Sequence, residues 1–559
     1  MFMVIVKKTK LAVIMKRYVM MYRIYYMVKK YHYIMAIAIL ISIIIVISGC
    51  KNKSTGNLNN VNINDSVQAI IKRIRPVQIP EKLINIIEYS KHMPDVEGNF
   101  DFHDDIQRAV NELSSNGGGK ILFPHTLGTN EWVKMTEIYK ITGPIELCSN
   151  IEFLIQPSVK LFFTFNPEAY SNKHKGVLSR YEGTTIYTYS PNFRAFNSHN
   201  IKFSSTDGNG SMPEITADGE QWVKWAMLGD KKLEKKGIKP RTELIRDFNN
   251  SDLPIMLRIV ANPDSDYLRP DMFQFLLCQN ILIEGIKLNN GGFWMVHPVL
   301  SENITFRNLF FDAGNVNNDG IDVESSKDVL IENIIFNNHD DNIVMKAGRN
   351  KEGREGALVA GTELEKVNSH YLKNGRITGC TENVVARNCV FKGHHAICAG
   401  SEMSGGVRNI YVIDNIAPQN VKNGIYIKSS RIRGGTIENI FVKNLALNIV
   451  EDYVISLNPN YDGDTISPYV PVFKNIYIEN VTATHAHNGI RIFGWKDSPT
   501  SNVWLKNVTI QLVPGVPLER QFEINQIDSI LLENVKINGK SFDGMYHVSD
   551  PNKKILKQM

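Results

Sequence analysis

Asn280-Ile281-Leu282-Ile283-Glu284-Gly285, Asn303-Ile304-Thr305-Phe306-Arg307-Asn308 and Asp328-Val329-Leu330-Ile331-Glu332-Asn333 are three versions of one phrase. Each opens on Asn or Asp, alternates apolar with other side chains, and ends at a turn residue. The phrase returns at Asn383, Asn409, Asn439, Asn475 and Asn502, and more weakly at Ser529, in steps of 23, 25, 55, 26, 30, 36, 27 and 27 residues. A period of about 25 residues with a few longer steps marks a solenoid with loop insertions on some coils. The phrase is β-branched and lacks the pattern of a leucine-rich repeat. Its alternate apolar side chains point into a shared interior, while the Asn and Asp at the turns satisfy neighbouring backbone groups. The expected fold is all-β, a right-handed parallel β-helix of about ten coils. A globular β-sandwich is the alternative.

Upstream of the repeats, Ile106, Ala109, Val110 and Leu113 fall at helical spacing, and Gly117-Gly118-Gly119 follows as a stop. This predicts an amphipathic helix that caps one open end of the solenoid and covers its strand edges. The 55-residue step is too long for one coil, so residues 347–379 must leave the solenoid as an excursion. A long insertion on a rigid scaffold is often functional.

Charge places the partners. The first 50 residues carry eight of the 63 Lys and Arg and none of the 57 acids, so the rest of the 559-residue chain is net −2. Nucleic-acid binding through bulk basic charge is excluded on that balance. The basic N-terminal stretch precedes an apolar run over residues 34–47, shorter than the roughly 20 residues a spanning helix needs. Residues 1–50 therefore read as a signal peptide. Met15 and Met27 are alternative starts. The run ends Ile47-Ser48-Gly49-Cys50, which resembles a bacterial lipobox; this implies lipidation at Cys50 and anchoring of an exported protein to a membrane of the bacterial cell envelope. An ordinary cleavage site with an incidental Cys is the alternative. Residues 51–75 read as a flexible tether, 76–540 as the β-helix with its capping helix, and 541–559 as a C-terminal tail. Cys148, Cys278, Cys380, Cys389 and Cys398 form no CxxC or Cys/His cluster and read mostly as buried apolar residues, with a Cys380–Cys389 disulfide as an option.

Four polar segments exceed what packing requires: Asn317-Asn318-Asp319-Gly320-Ile321-Asp322; His339-Asp340-Asp341-Asn342; Gly393-His394-His395 with Gly400-Ser401-Glu402-Met403-Ser404-Gly405-Gly406; and Tyr426-Ile427-Lys428. Asp319, Asp340 and Asp341 put three carboxylates on two neighbouring coils. Glycosidic hydrolysis needs one protonated and one ionised carboxyl group, and crowded like charges raise one pKa. A single Asp in such a turn is ordinarily a capping residue. The adjacent pair Asp340-Asp341 is different, because a regular strand would drive one carboxylate into the core unless the chain bends there.

In this order the four segments resemble the signature motifs of the polygalacturonases, glycoside hydrolase family 28, over about residues 105–537. The resemblance implies an inverting hydrolase of α-linked galacturonides in pectin or its oligosaccharides, needing no cofactor or metal. It assigns Asp340 as general acid, Asp319 and Asp341 as holders of the attacking water, and His394 as a tuner of the acid. It makes Lys428 a uronate binder and Tyr461 a sugar contact, and it leaves His297 packed beside Trp294. Inversion sets an expected acid–base separation of about 6.5–9.5 Å. Two departures stand out: His395 occupies a usual Gly, and Tyr426 stands at the substrate-binding position where endo-acting members have Arg, with Arg431 or Arg433 as candidate replacements. The start of the excursion resembles the exo-acting bacterial branch, in which Arg349 and Arg354 would grip a terminal galacturonate. A rhamnogalacturonan hydrolase, a pectate lyase and a non-catalytic glycan-binding protein are the other readings.

Overall fold

The computed structural model describes residues 63–127, 135–206 and 211–548. The expected signal peptide with Cys50, the tether as far as residue 62, and the tail from residue 549 lie outside the described residues.

Pairing shows why the phrase recurs. Ile281, Ile304, Val329, Val384, Ile410, Ile440, Ile476, Val503 and Ile530 are parallel register partners on successive coils, and all are buried. The Asn or Asp one residue ahead of each of the first eight has left-handed backbone, from φ 61° at Asn303 to φ 49° at Asn502. Among residues with a Cβ, Asn and Asp enter that region most readily. The same amides then bond from coil to coil: Asn409 Nδ2 donates to Asn383 Oδ1 (3.2 Å), Asn439 to Asn409 (3.0 Å), Asn475 to Asn439 (3.0 Å) and Asn502 to Asn475 (2.7 Å). A second ladder climbs from Asp414 through Asn444, Asn480 and Asn507 to Asn534.

The row also extends upstream through Leu83–Asn85, Gly119–Phe123, Ile151–Ile155 and His199–Ser205, giving thirteen parallel strands among the described residues where about ten coils are expected. These coils escape the repeat pattern because Asn150, Asn200 and Asn280 are 50 and 80 residues apart. The longer step holds the helices Gly219–Lys235 and Arg241–Phe248. A second row runs through Tyr139, Leu161, Ile215, Leu288 and Phe311. The third passes through Phe193–Phe196, Phe273–Leu276, Val296–Val299, Ile321–Glu324, Ile343–Lys346 and Gly393–Ala399. Together the three rows make a parallel β-helix, and the third carries the polar segments.

The capping helix is His103–Ser115, with Ile106, Ala109, Val110 and Leu113 fully buried against the first coils. It ends at Gly117 and Gly118 (φ 91° and 115°); a Cβ on Gly118 would stand 2.4 Å from the Asn150 carbonyl oxygen.

Three boundaries differ from expectation. The tether does not run to residue 75, because Ile63–Arg73 is a helix whose Val67 and Ile70 pack on Leu330, Val385, Tyr411 and Phe441, a stack of outward apolar side chains that needs a cover. Residues 541–548 are not a loose tail: Lys540–Val548 pairs antiparallel with Ile527–Ile537 and covers the last parallel edge. The Cys380–Cys389 bridge is not formed; both are free thiols, held apart by the extended strand Thr381–Arg387. Among the described residues no helix is long and apolar enough to cross a membrane.

Candidate active site

The third row supplies a floor of outward side chains, and the turns leading into its strands supply the acids. Asn318 ties its turn down by donating to the Gly291 and Phe293 carbonyls (3.0 and 2.7 Å), leaving Asp319 directed at Lys346 Nζ, 3.4 Å away. The chain bends at residues 339–342, just before Ile343–Lys346. That bend resolves the Asp340-Asp341 conflict: the Asp340 side chain is 27% exposed, while that of Asp341 turns inward at 3%. Gly393 lets the next coil follow closely, since a Cβ there (φ 98°) would lie 2.1 Å from the Asn338 carbonyl oxygen.

One carboxylate oxygen from each of Asp319, Asp340 and Asp341 lies within 4.8 Å of the others. This is closer than the spacing of about 6.5–9.5 Å expected of an inverting pair. The countercharge comes from lysines. Lys428 Nζ is 3.0 Å from Asp341 Oδ2, and Lys346 Nζ lies 3.2–3.5 Å from Asp319, Asp322 and Glu402.

The acids separate electrostatically. Burial, then the charge of Asp322, pushes Asp319 well above the usual carboxylate range, and burial takes Asp322 up to about 7. Burial also works to raise Asp340, but His394 and then Lys428 and Lys346 outweigh it and hold the group low. Asp341 is likewise held low against its burial, first by Lys428, and it accepts a hydrogen bond from the Cys398 thiol (3.2 Å). Proton affinity is thus raised on the Asp319–Asp322 side and lowered at Asp340, whereas the resemblance assigns the donor to Asp340. His394 Nδ1 is 3.2 Å from Asp340 Oδ1, off the line of a formed hydrogen bond. Its Nε2 faces Lys422 Nζ at 3.1 Å, and an ammonium only donates, so Nε2 is the acceptor in that contact.

The two departures are packed together. His395 is buried between His394 and Tyr426, with ring centroids at 4.0 and 4.9 Å, and burial lowers its pKa to about 3, so it stays neutral. Tyr426 and the exposed Tyr461 flank the Lys428 ammonium, 5.1 and 5.5 Å from their ring centroids. Both candidate replacements for a missing arginine are engaged elsewhere: Arg431 pairs with Asp497 (both contacts 3.0 Å), and Arg433 is buried against Asn350 and Glu402.

Arg349 and Arg354 also differ from expectation. Arg349 is buried and paired with Glu182 (2.8 Å) and Glu402 (3.5 Å). Arg354 donates to the Ile432 and Arg433 carbonyls (2.8 Å each) and lies over the Tyr469 ring. Both fasten the excursion to its surroundings. Helix Asn350–Glu355 is fixed likewise, through Glu352 to Arg258 (2.5 Å) and to the Thr185 amide (2.7 Å). Thr185 belongs to a hairpin, Val177–Tyr181 with Thr184–Thr188, that covers the upstream floor: Ser179 bonds Gln274, and Arg180 bonds Glu324 (2.8 Å). His297 stacks edge-on beside Trp294 as expected, but it also bridges Asp271 (2.8 Å) and Glu324 (2.9 Å). Lys346 and the bridging role of His297 were not distinguishable from ordinary charged or packing residues in the sequence, and Glu402 stood in a polar segment with no role assigned to it.

These features define a class: a parallel β-helix protein with a lysine-braced carboxylate triad beside a hairpin and an excursion that pack on one another. Residues 261–532 match the family described as Glycosyl hydrolases family 28, and the chain is similar to polygalacturonases. It is 27% identical over 253 residues to a probable polygalacturonase of Vitis vinifera, covering 44% of this chain and 47% of that one, so it spans about half the length of this curated relative. The solved hyperthermoactive exopolygalacturonase from Thermotoga maritima superposes with TM-score 0.71 at 28% identity, over 87% of this chain and 98% of that one. The family 28 exopolygalacturonase of Yersinia enterocolitica shares the fold, with TM-score 0.58 at 17% identity over 83% and 76%.

Proposed function

We propose that this protein hydrolyses α-linked galacturonides in pectin or pectic oligosaccharides with inversion, from a chain end. The observation that carries the reading is the triad beside Lys428 in a groove roofed on its upstream side by the hairpin and the excursion. A groove open at both ends admits a polymer anywhere, whereas a closed end admits a terminus. Asp340, the triad member most open to the groove, gives the leaving oxygen its proton. Asp341, held ionised by Lys428 and the Cys398 thiol, orients the attacking water together with Asp319. In the free site Lys428 is among the charges that keep Asp340 ionised. A uronate bound at that ammonium neutralises its field, and proton return to Asp340 is coupled to substrate binding.

The test is product analysis on defined pectic oligosaccharides. Steady release of mono- or digalacturonate, with the β-anomer first and little early fall in polymer viscosity, is expected. A ladder of medium-length products overturns the chain-end reading, initial α-anomer overturns inversion, and cleavage confined to rhamnose-containing substrates favours a rhamnogalacturonan hydrolase. Activity that survives chelator without an ultraviolet-absorbing product excludes a lyase. The lipobox-like Ile47-Ser48-Gly49-Cys50 supports an exported protein anchored at Cys50 to a membrane of the cell envelope; Cys50→Ala should release it, and retention in the membrane fraction overturns the anchor.

A further inference from the structure

The arginine absent from position 426 leads to a different arginine on the same floor. Tyr426, Ser456 and Arg491 are register partners on three successive coils, downstream of the triad. Neighbouring strands are ~4.8 Å apart, so a side chain two coils away and standing upright would be roughly 10 Å from Tyr426. Arg491 does not stand upright. Its Nε and Nη2 donate to Ser456 Oγ at 3.2 and 2.9 Å, and its guanidinium lies 4.2 Å from the Tyr453 ring centroid. The side chain therefore leans back one coil, toward Tyr426 and Lys428 and away from Glu523, its register partner on the other side.

Ser456 is fully buried and Tyr453 nearly so, which makes the seat rigid. Neither anchor is an anion, so they fix the guanidinium without neutralising its charge. A guanidinium presents five N–H donors in a planar fork, and Ser456 takes two. Planar bidentate recognition of a carboxylate suits such a fork, whereas Lys428 acts as a point charge and is shared with Asp341.

We propose that Arg491, seated on Ser456 and Tyr453, forms a second carboxylate subsite that takes the uronate one sugar unit beyond the unit held at Lys428. The assignment rests on the galacturonide reading above. It moves the clamp one coil along the groove from Tyr426, so a substrate of two units reaches Lys428 and a third unit reaches Arg491.

Comparing wild type with Arg491→Met and Arg491→Lys on di- and trigalacturonate tests this. The ratio of kcat/KM for the trimer to that for the dimer should fall roughly tenfold to a hundredfold in Arg491→Met, the range of a lost charge-assisted hydrogen bond. Arg491→Lys should restore part of it, and a trimer methyl-esterified at the third unit should be insensitive to either change. An equal loss on both lengths, or an unchanged ratio, overturns the subsite. Binding to Asp340→Asn, with and without Arg491→Met, reads the subsite without turnover. There the trimer should bind more tightly than the dimer only while Arg491 is present, and equal affinities overturn the proposal. Failure of wild type to cleave any galacturonide would instead count against the function, so the two failures are distinguishable.

Discussion

The floor of the groove has two arms built from the same strand row, and they treat charge in opposite ways. Upstream of the triad, Arg180 with Glu324, Arg258 with Glu352, and His297 between Asp271 and Glu324 are buried pairs that satisfy one another beneath the hairpin. Downstream, Lys428, itself paired with Asp341, and the half-buried Arg491 rest against aromatic rings. One repeat architecture therefore supports an arm of buried ion pairs and an arm in which cations lie against aromatic rings. What separates them is the insertion laid on top: a buried charge must be paired, whereas a wetted one is available to an anionic ligand.

The largest effect is expected at the junction of the arms. Asp340→Asn should lower kcat by about 10² to 10⁴, the usual share of general acid catalysis, with an unchanged circular dichroism spectrum. Near-normal turnover would place the proton donor elsewhere. In the closed arm, Arg180→Met leaves Glu324 short of a buried partner and should cost about 3–5 kcal/mol in urea unfolding. The same variant should shift products toward longer oligomers if the hairpin is what closes the groove.

The arms should also differ in their response to pH. His297 is burdened by burial, yet Asp271 and Glu324 bring its pKa up to about 9 from 6.5. The folded protein then holds a proton the unfolded chain releases, so this contribution is full below pH 6.5 and lost as pH rises through about 9. His297→Gln should flatten that part of the thermal-stability profile. Asp322, raised to about 7 from 3.8, has the same sign: its contribution is full below pH 3.8 and lost as pH rises through 7, a slope that Asp322→Asn should remove. Away from both arms the smallest effect is expected: Asn439→Ala, with φ 57° and ladder bonds to Asn409 and Asn475, should lose about 1–2 kcal/mol. Asn439→Gly should recover the backbone part and lose only the ladder.

What the sequence conveyed follows from where its constraints are local. The Asn-led phrase is a local device, because left-handed backbone and a coil-to-coil amide bond both act at the residue that shows them; hence the fold and the capping helix were readable. Asp319, Asp340, Asp341 and Lys428 were readable because they sit in ordered motifs, and the structure brings them together. The partners of Arg349 and Arg354 are not legible, since a charged loop looks solvated until Glu182 and the Ile432 and Arg433 carbonyls, distant in sequence, are placed against it. Arg491 was not noticed at all: its significance depends on lying two coils from Tyr426 in register, although the two are 65 positions apart in the chain.

One position per coil makes the floor a graduated scale. Val344, Cys398, Tyr426, Ser456 and Arg491 are consecutive marks on it, each offset from the last by a strand spacing of ~4.8 Å. Duplicating or deleting the coil that carries Ser456 would translate Arg491 by one mark and leave the acids where they are. Preference for substrate length then becomes a whole-number property of the scaffold, adjustable by counting repeats without remodelling a pocket.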